Sequence, residues 1–162
     1  MLNYLIKIEY EGTNFVGWQS QKNGKSIQDT IEKVLKKILK TKIRITGAGR
    51  TDAGVHAFSQ YASFKTKRKI ENKKVFLEST NYFLKNKLIS ILDIRKKSNN
   101  FHARHSAKLR TYEYLIVNRQ GRLSINKNRA WHVKKKINFD LLKKGAKLLE
   151  GTHNFSTFRA AS

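Results

Sequence analysis

Over the first hundred residues the hydrophobic period switches between two and 3.6 in a set order, and that order limits the folds open to the chain. Residues 3–10 (NYLIKIEY) put Tyr4, Ile6, Ile8 and Tyr10 on one face, the alternation of a half-buried strand. Gly12, Gly17 and Gly24 mark the loop that follows. Ser26 is placed to cap a helix running to about Lys40, with Asp29 at the capping-box position. Its Ile27, Ile31, Val34, Leu35, Ile38 and Leu39 form one stripe facing a core, with lysines on the other side. Residues 42–46 (KIRIT) read as a short strand ending at Gly47. Residues 57–65 (AFSQYASFK) read as another, with Phe58, Ala62 and Phe64 on one face. A weaker helix over 73–86 and a strand over 89–95 (ISILDIR) complete the series.

The order β-α-β-β-α-β implies an α+β fold of the ferredoxin-like, split βαβ kind with an antiparallel sheet. This first domain takes residues 1–100, closing at the polar break KKSNN (96–100). A second block, 101–162, carries strong alternation over 109–118 (LRTYEYLIVN), a strand at 129–133 (RAWHV) and a helix from Asn138 to Glu150, stopped by Gly151. One strand pair and one helix are too little sheet to cover a helix face. The expectation is an incomplete α+β second domain in a chain truncated at its carboxyl terminus.

Charge narrows the partners. There are 35 Lys and Arg against 11 Asp and Glu, a formal charge of +24 over 162 residues. Such an excess favours a polyanion, because cations that neutralise phosphates release counterions. Lys, Ile and Asn are abundant and Pro is absent, a profile that an AT-rich coding bias would also produce. The placement of arginines therefore carries more information than the total. The chain has no Cys, which excludes disulfide scaffolds, thiol nucleophiles and Cys-ligated zinc. No long apolar run and no signal-like amino terminus are present, so the expectation is a cytoplasmic protein without a membrane span.

Between the second and third strands lies Gly47-Ala48-Gly49-Arg50-Thr51-Asp52-Ala53-Gly54-Val55-His56. A hairpin needs only two to five residues, and this loop spends far more. It is no P-loop, lacking the Gly-Lys-Ser/Thr ending, and Asp52 stands where a dinucleotide fingerprint has its last glycine. Of the four aspartates, Asp29 and Asp140 fall in first helical turns, where a carboxylate suits the dipole, and Asp93 falls in a strand. Asp52 alone lies in a Gly-rich loop, with Arg50 two residues away and His56 nearby. An Arg50–Asp52 ion pair would keep the carboxylate ionised and oriented, as a nucleophile requires. The same pair would equally serve as a structural salt bridge in a turn.

Over 109–118, Arg110, Tyr112, Tyr114 and Ile116 share one face. Aromatic and guanidinium groups side by side on a strand form a base-stacking platform in many RNA binders. Ordinary sheet packing of tyrosines gives the same pattern. His102 and His105 lie just before this stretch, but no acidic cluster completes a metal site, and none is expected.

Four segments together resemble the TruA family of tRNA pseudouridine synthases. They are FVGWQSQ (15–21), GAGRTDAGVHA (47–57), FHARHSAKLRTYEYLI (101–116), and GTHNF (151–155) with Phe158-Arg159. The resemblance spans essentially the whole chain, and GRTDAGVHA is long enough to be specific. It implies an isomerase that converts uridine to pseudouridine at nucleotides 38 to 40 of the tRNA anticodon stem-loop. It also implies a homodimer at full length and no cofactor. Asp52 matches the family's catalytic aspartate, Arg50 the adjacent arginine associated with base flipping, and Tyr112 the tyrosine that contacts the target base. His56, Arg104 and Arg110 are added as substrate-binding candidates. Family members extend beyond the position of Ser162 and supply further pocket residues there, so an inactive fragment of the synthase is one alternative. A non-catalytic RNA-binding module is another, although residues 56–61 (HAFSQY) do not match the RNA-recognition signature. A nuclease using His56, His102 or His105 is the third.

Overall fold

The computed structural model describes residues 1–158 and divides the chain into two compact units, Met1–Tyr112 and Glu113–Ser162. The first contains β1 (Leu2–Tyr10), α1 (Ile27–Leu39), β2 (Ile45–Gly47), β3 (Ala57–Thr66), α2 (Lys73–Leu84) and β4 (Ile89–Lys97). One antiparallel sheet takes all four strands in the order β2-β3-β1-β4, so β1 is paired on both sides.

The alternation on β1 explains the core. Tyr4, Ile6, Ile8 and Tyr10 are all buried, together with Ala62 and Phe64 of β3 and Ile89, Ile91 and Ile94 of β4. Ile27, Ile31, Leu35 and Leu39 of α1 join this cluster, with Val34 and Ile38 partly buried beside it. Each such Ile or Leu contributes roughly 1.5–3 kcal/mol when removed from water. Helix α1 begins where its cap dictates: Ser26 Oγ accepts the Asp29 N–H at 3.0 Å and donates to Asp29 Oδ2 at 2.7 Å. It ends at Lys40, whose φ of 54° breaks the helical path.

Three expectations change. The 42–46 strand pairs only from Ile45, whose backbone groups turned away from β3 are taken by α1 side chains. Glu32 Oε1 accepts the Ile45 N–H at 3.0 Å, and Gln28 Nε2 donates to its carbonyl at 3.3 Å. Phe58 does not share the core face with Ala62 and Phe64. The register on β1 jumps from Ile8↔Gln60 to Tyr10↔Ala57, and this bulge leaves Phe58 80% exposed. Residues 109–115 form no strand, since among the described residues only Ile116–Asn118 (β5) finds a partner, Trp131–Val133 (β6), in parallel. An alternating sequence without a neighbour to pair with does not become sheet.

Residues 101–112 go with the first unit because side chains bind them there. Asn3 Nδ2 donates to Ser98 O at 2.9 Å and Phe101 O at 2.8 Å, and Ala103 N donates to Ser63 Oγ at 3.2 Å. In the second unit, Asn118 Nδ2 donates to Val133 O and Lys135 O, both at 2.7 Å. Helix α3 (Phe139–Leu148) is capped by Asn138, and no described residue from 113 on is buried.

On β4, Asp93 accepts from Lys73 and from Arg95 Nε, the latter at 2.7 Å, which holds its carboxyl down to about 2. The unfolded carboxylate, near 3.9, takes up a proton first as pH falls, at about pH 4. The stabilisation is therefore complete above about pH 4 and is lost as pH falls through about 2. Urea denaturation of Asp93→Asn against the parent should show a lower midpoint at pH 7, with the gap closing over that window.

Candidate active site

The Asp52 loop leaves β2 at Gly47, returns at Ala57 to β3, and lies against the segment 10–18 that follows β1. Glycine makes this approach possible. A Cβ on Gly12 would stand 2.0 Å from the Val55 carbonyl oxygen, and one on Gly17, at φ +109°, would stand 2.6 Å from that of Thr51. On the far side, Trp18 is buried and its indole fills the space where a Gly47 side chain would sit. Backbone bonds then join the two segments: Trp18 N donates to Thr51 O at 2.9 Å and Gly54 N to Phe15 O at 3.3 Å.

Side chains hold the same loop from the sheet and from residues 101–112. Tyr10 Oη lies 2.7 Å from Thr51 Oγ1, and Gln60 Nε2 donates to Gly49 O at 2.8 Å. Burial pushes the Tyr10 phenol up, opposed by its hydrogen bonds to Thr51 and Gln60, which keeps it a neutral hydroxyl. Arg110 donates to Ala48 O through Nε at 3.2 Å and Nη2 at 2.8 Å, and Nη2 also reaches Arg104 O at 3.2 Å. Arg50 and Asp52 both point into solvent, and no ion pair joins them among the described residues. An exposed pair gains little from closing, and their neighbours Gly49 and Thr51 are tied down.

The expected site residues thus separate. Arg50 and Asp52 share one exposed loop. Arg110 reaches that loop, but its guanidinium is occupied by backbone carbonyls, and Arg104 meets it through main chain. His56 closes the loop, its Nδ1 accepting the Gly12 N–H at 3.0 Å, with the Glu11 carboxylate 4.0 Å away. Tyr112 is 65% exposed, outside any strand, so the tyrosine platform expected over 110–116 is not assembled as sheet. The rings of His102 and His105 lie 4.4 Å apart between centroids, tilted by 39°, and no group of three or more metal-ligating side chains occurs among the described residues. Arg159 lies outside the described residues. Tyr10, Gln60 and Trp18 were not legible as site residues. Trp18 falls within FVGWQSQ, a segment whose only meaning in the sequence was resemblance.

Comparison with known proteins gives this loop its setting. A family model described as tRNA pseudouridine synthase matches residues 6–106, and the chain belongs to that family. The chain is similar along its length to proteins named tRNA pseudouridine synthase A. The Pelagibacter ubique (strain HTCC1062) protein is 54% identical over 162 residues, covering 100% of this chain and 66% of its own. That of Ehrlichia ruminantium (strain Gardel) is 44% identical over 160 residues, covering 98% and 65%. That of Thermoanaerobacter sp. (strain X514) is 40% identical over 164 residues, covering 99% and 65%. The chain spans just under two thirds of the length of these relatives.

The glycine seats can be separated by substitution. Gly54, at φ +78°, has nothing near its missing Cβ, so Gly54→Ala should cost only the left-handed backbone penalty of about 1–2 kcal/mol. Gly17→Ala adds a collision with Thr51 O and should cost more in urea denaturation, while shifting the Asp52 amide resonance.

Proposed function

We propose that the chain carries the nucleophile-bearing part of a tRNA pseudouridine synthase, an isomerase acting on uridine at nucleotides 38 to 40 of the anticodon stem-loop. The supporting observation is the standing of Asp52 among the four aspartates. Asp29 is tied to the Ser26 cap, Asp93 is bound by Lys73 and Arg95, and Asp140 lies in the first turn of α3. Asp52 is exposed on a loop fixed by buried groups, with a cation two residues away.

The reaction asks little else of the protein. The target base leaves its stack at a cost of a few kcal/mol, which Arg50 offsets by occupying the vacated place. Asp52 supplies the nucleophile, adding either to C1′ of the ribose or to C6 of the ring. The C1′–N1 bond breaks, the retained base turns, C5 bonds to C1′, and the bond to Asp52 is broken to return its carboxylate. The C5 proton is released, and N1 ends protonated. Tyr112 contacts the base, while Arg104, Arg110 and His56 support the substrate side of the loop, Arg110 and His56 through the backbone they hold. No step requires a metal or cofactor. The Lys-rich surface neutralises the tRNA backbone.

The same reading assigns the first hundred residues to a ferredoxin-like domain, which the strand order β2-β3-β1-β4 supports. It assigns residues 101–162 to the opening of a second α+β domain, with 101–112 strapped to the first. Full-length copies pair as a homodimer in the cytoplasm. No helix among the described residues is long and apolar enough to cross a membrane.

Asp52→Asn should abolish tritium release from 5-tritiated uridine in tRNA while changing tRNA affinity little. The measurement belongs on both this chain and a full-length relative carrying the equivalent change. Undiminished release would remove Asp52 from the chemistry, and strand scission in place of isomerisation would indicate a nuclease.

A further inference from the structure

We infer that Tyr10 and Gln60 are positioning residues for Asp52, acting through the backbone on either side of Arg50. The inference rests on the proposed role of Asp52 and adds the device that aims it. The anchors fall on alternate residues. Gly49 is held through its carbonyl by Gln60 Nε2 at 2.8 Å. Thr51 is held twice, by the Tyr10 hydroxyl at 2.7 Å on its side chain and by Trp18 N at 2.9 Å on its carbonyl. The residues between and beyond them, Arg50 and Asp52, carry the exposed side chains.

Tyr10 and Gln60 lie on the paired strands β1 and β3, so the two anchors belong to one hydrogen-bonded ladder. Gln60 is itself fixed, its Oε1 accepting the Tyr61 N–H at 3.1 Å. The Tyr10 ring is buried against Trp18, 6.1 Å between centroids, at the end of the strand paired on both sides. The two anchors thus transmit the rigidity of the sheet to a glycine-rich segment that would otherwise be pliable. Neither residue reaches the reacting atoms. Both would act on rate, because a nucleophile misplaced by a fraction of an ångström loses turnover without losing the bound substrate.

Tyr10→Phe removes only the hydroxyl. It should lower kcat for pseudouridine formation about tenfold with KM for tRNA unchanged. Thr51→Val deletes the other end of the bond and should match it, the double variant should be no worse than either single one, and Thr51→Ser should restore turnover. Amide hydrogen exchange provides a readout that does not depend on activity. In Tyr10→Phe and Thr51→Val, loop 48–56 should exchange about tenfold faster while the β1–β3 ladder is unmoved. Unaltered kcat and unaltered loop exchange in both variants would overturn the inference, as would equal losses in Thr51→Ser and Thr51→Val. A parent protein without turnover would count against the functional reading alone, and loop exchange would still decide whether the clamp exists.

Discussion

Strand β1 is hydrogen-bonded along both edges, to β3 and to β4, and the arrangement of the first unit follows from that double pairing. A strand flanked on both sides has its register fixed by two ladders, so its side chains are placed with little freedom. Tyr4, Ile6 and Ile8 spend that precision on the core. Tyr10, the last residue of the strand, spends it on a hydroxyl directed at Thr51. One uninterrupted segment therefore supports both the packing of α1 and the placement of the Asp52 loop, which belongs to a different connection.

The loop illustrates how glycine and bulky aromatic residues divide the work. Gly12 and Gly17 let two backbones approach to distances that any side chain would forbid, and Trp18 fills the space under Gly47. Flexibility in the unfolded chain becomes rigidity in the folded one, because close approach allows Trp18 N and Gly54 N to find carbonyl partners across the gap. The charged groups left over, Arg50 and Asp52, stand in water at the end of a well-supported stem.

Local pattern made the main elements of the first unit legible. The period-2 face of β1, the capped stripe of α1 and the break at Gly47 each report a short-range cause, and each has its counterpart in the structure. Expectations diverged where a distant partner decides. Phe58 left the core because a bulge against Tyr10 altered the count, and 109–115 stayed irregular because alternation cannot supply a neighbouring strand. In the site, Asp52 stood out by its glycine surroundings, which are local. The contributions of Tyr10 and Gln60 depend on contacts across 41 and 11 positions of sequence, and nothing in either residue's own neighbourhood announces them. The engagement of Arg110 with Ala48 spans 62 positions and is equally invisible to local pattern.

The outer strands carry one more consequence. On β2, Glu32 and Gln28 occupy the outward N–H and carbonyl of Ile45, and on β4 the Asn81 amide does the same for Ile91, donating at 3.0 Å and accepting at 2.7 Å. Each outer strand is thus engaged at one residue by helix side chains. A chain with a formal charge of +24 already disfavours its own copies through repulsion, and the blocked residues add to that. An occupied residue in each outer strand interrupts the row of backbone groups that a second chain could extend.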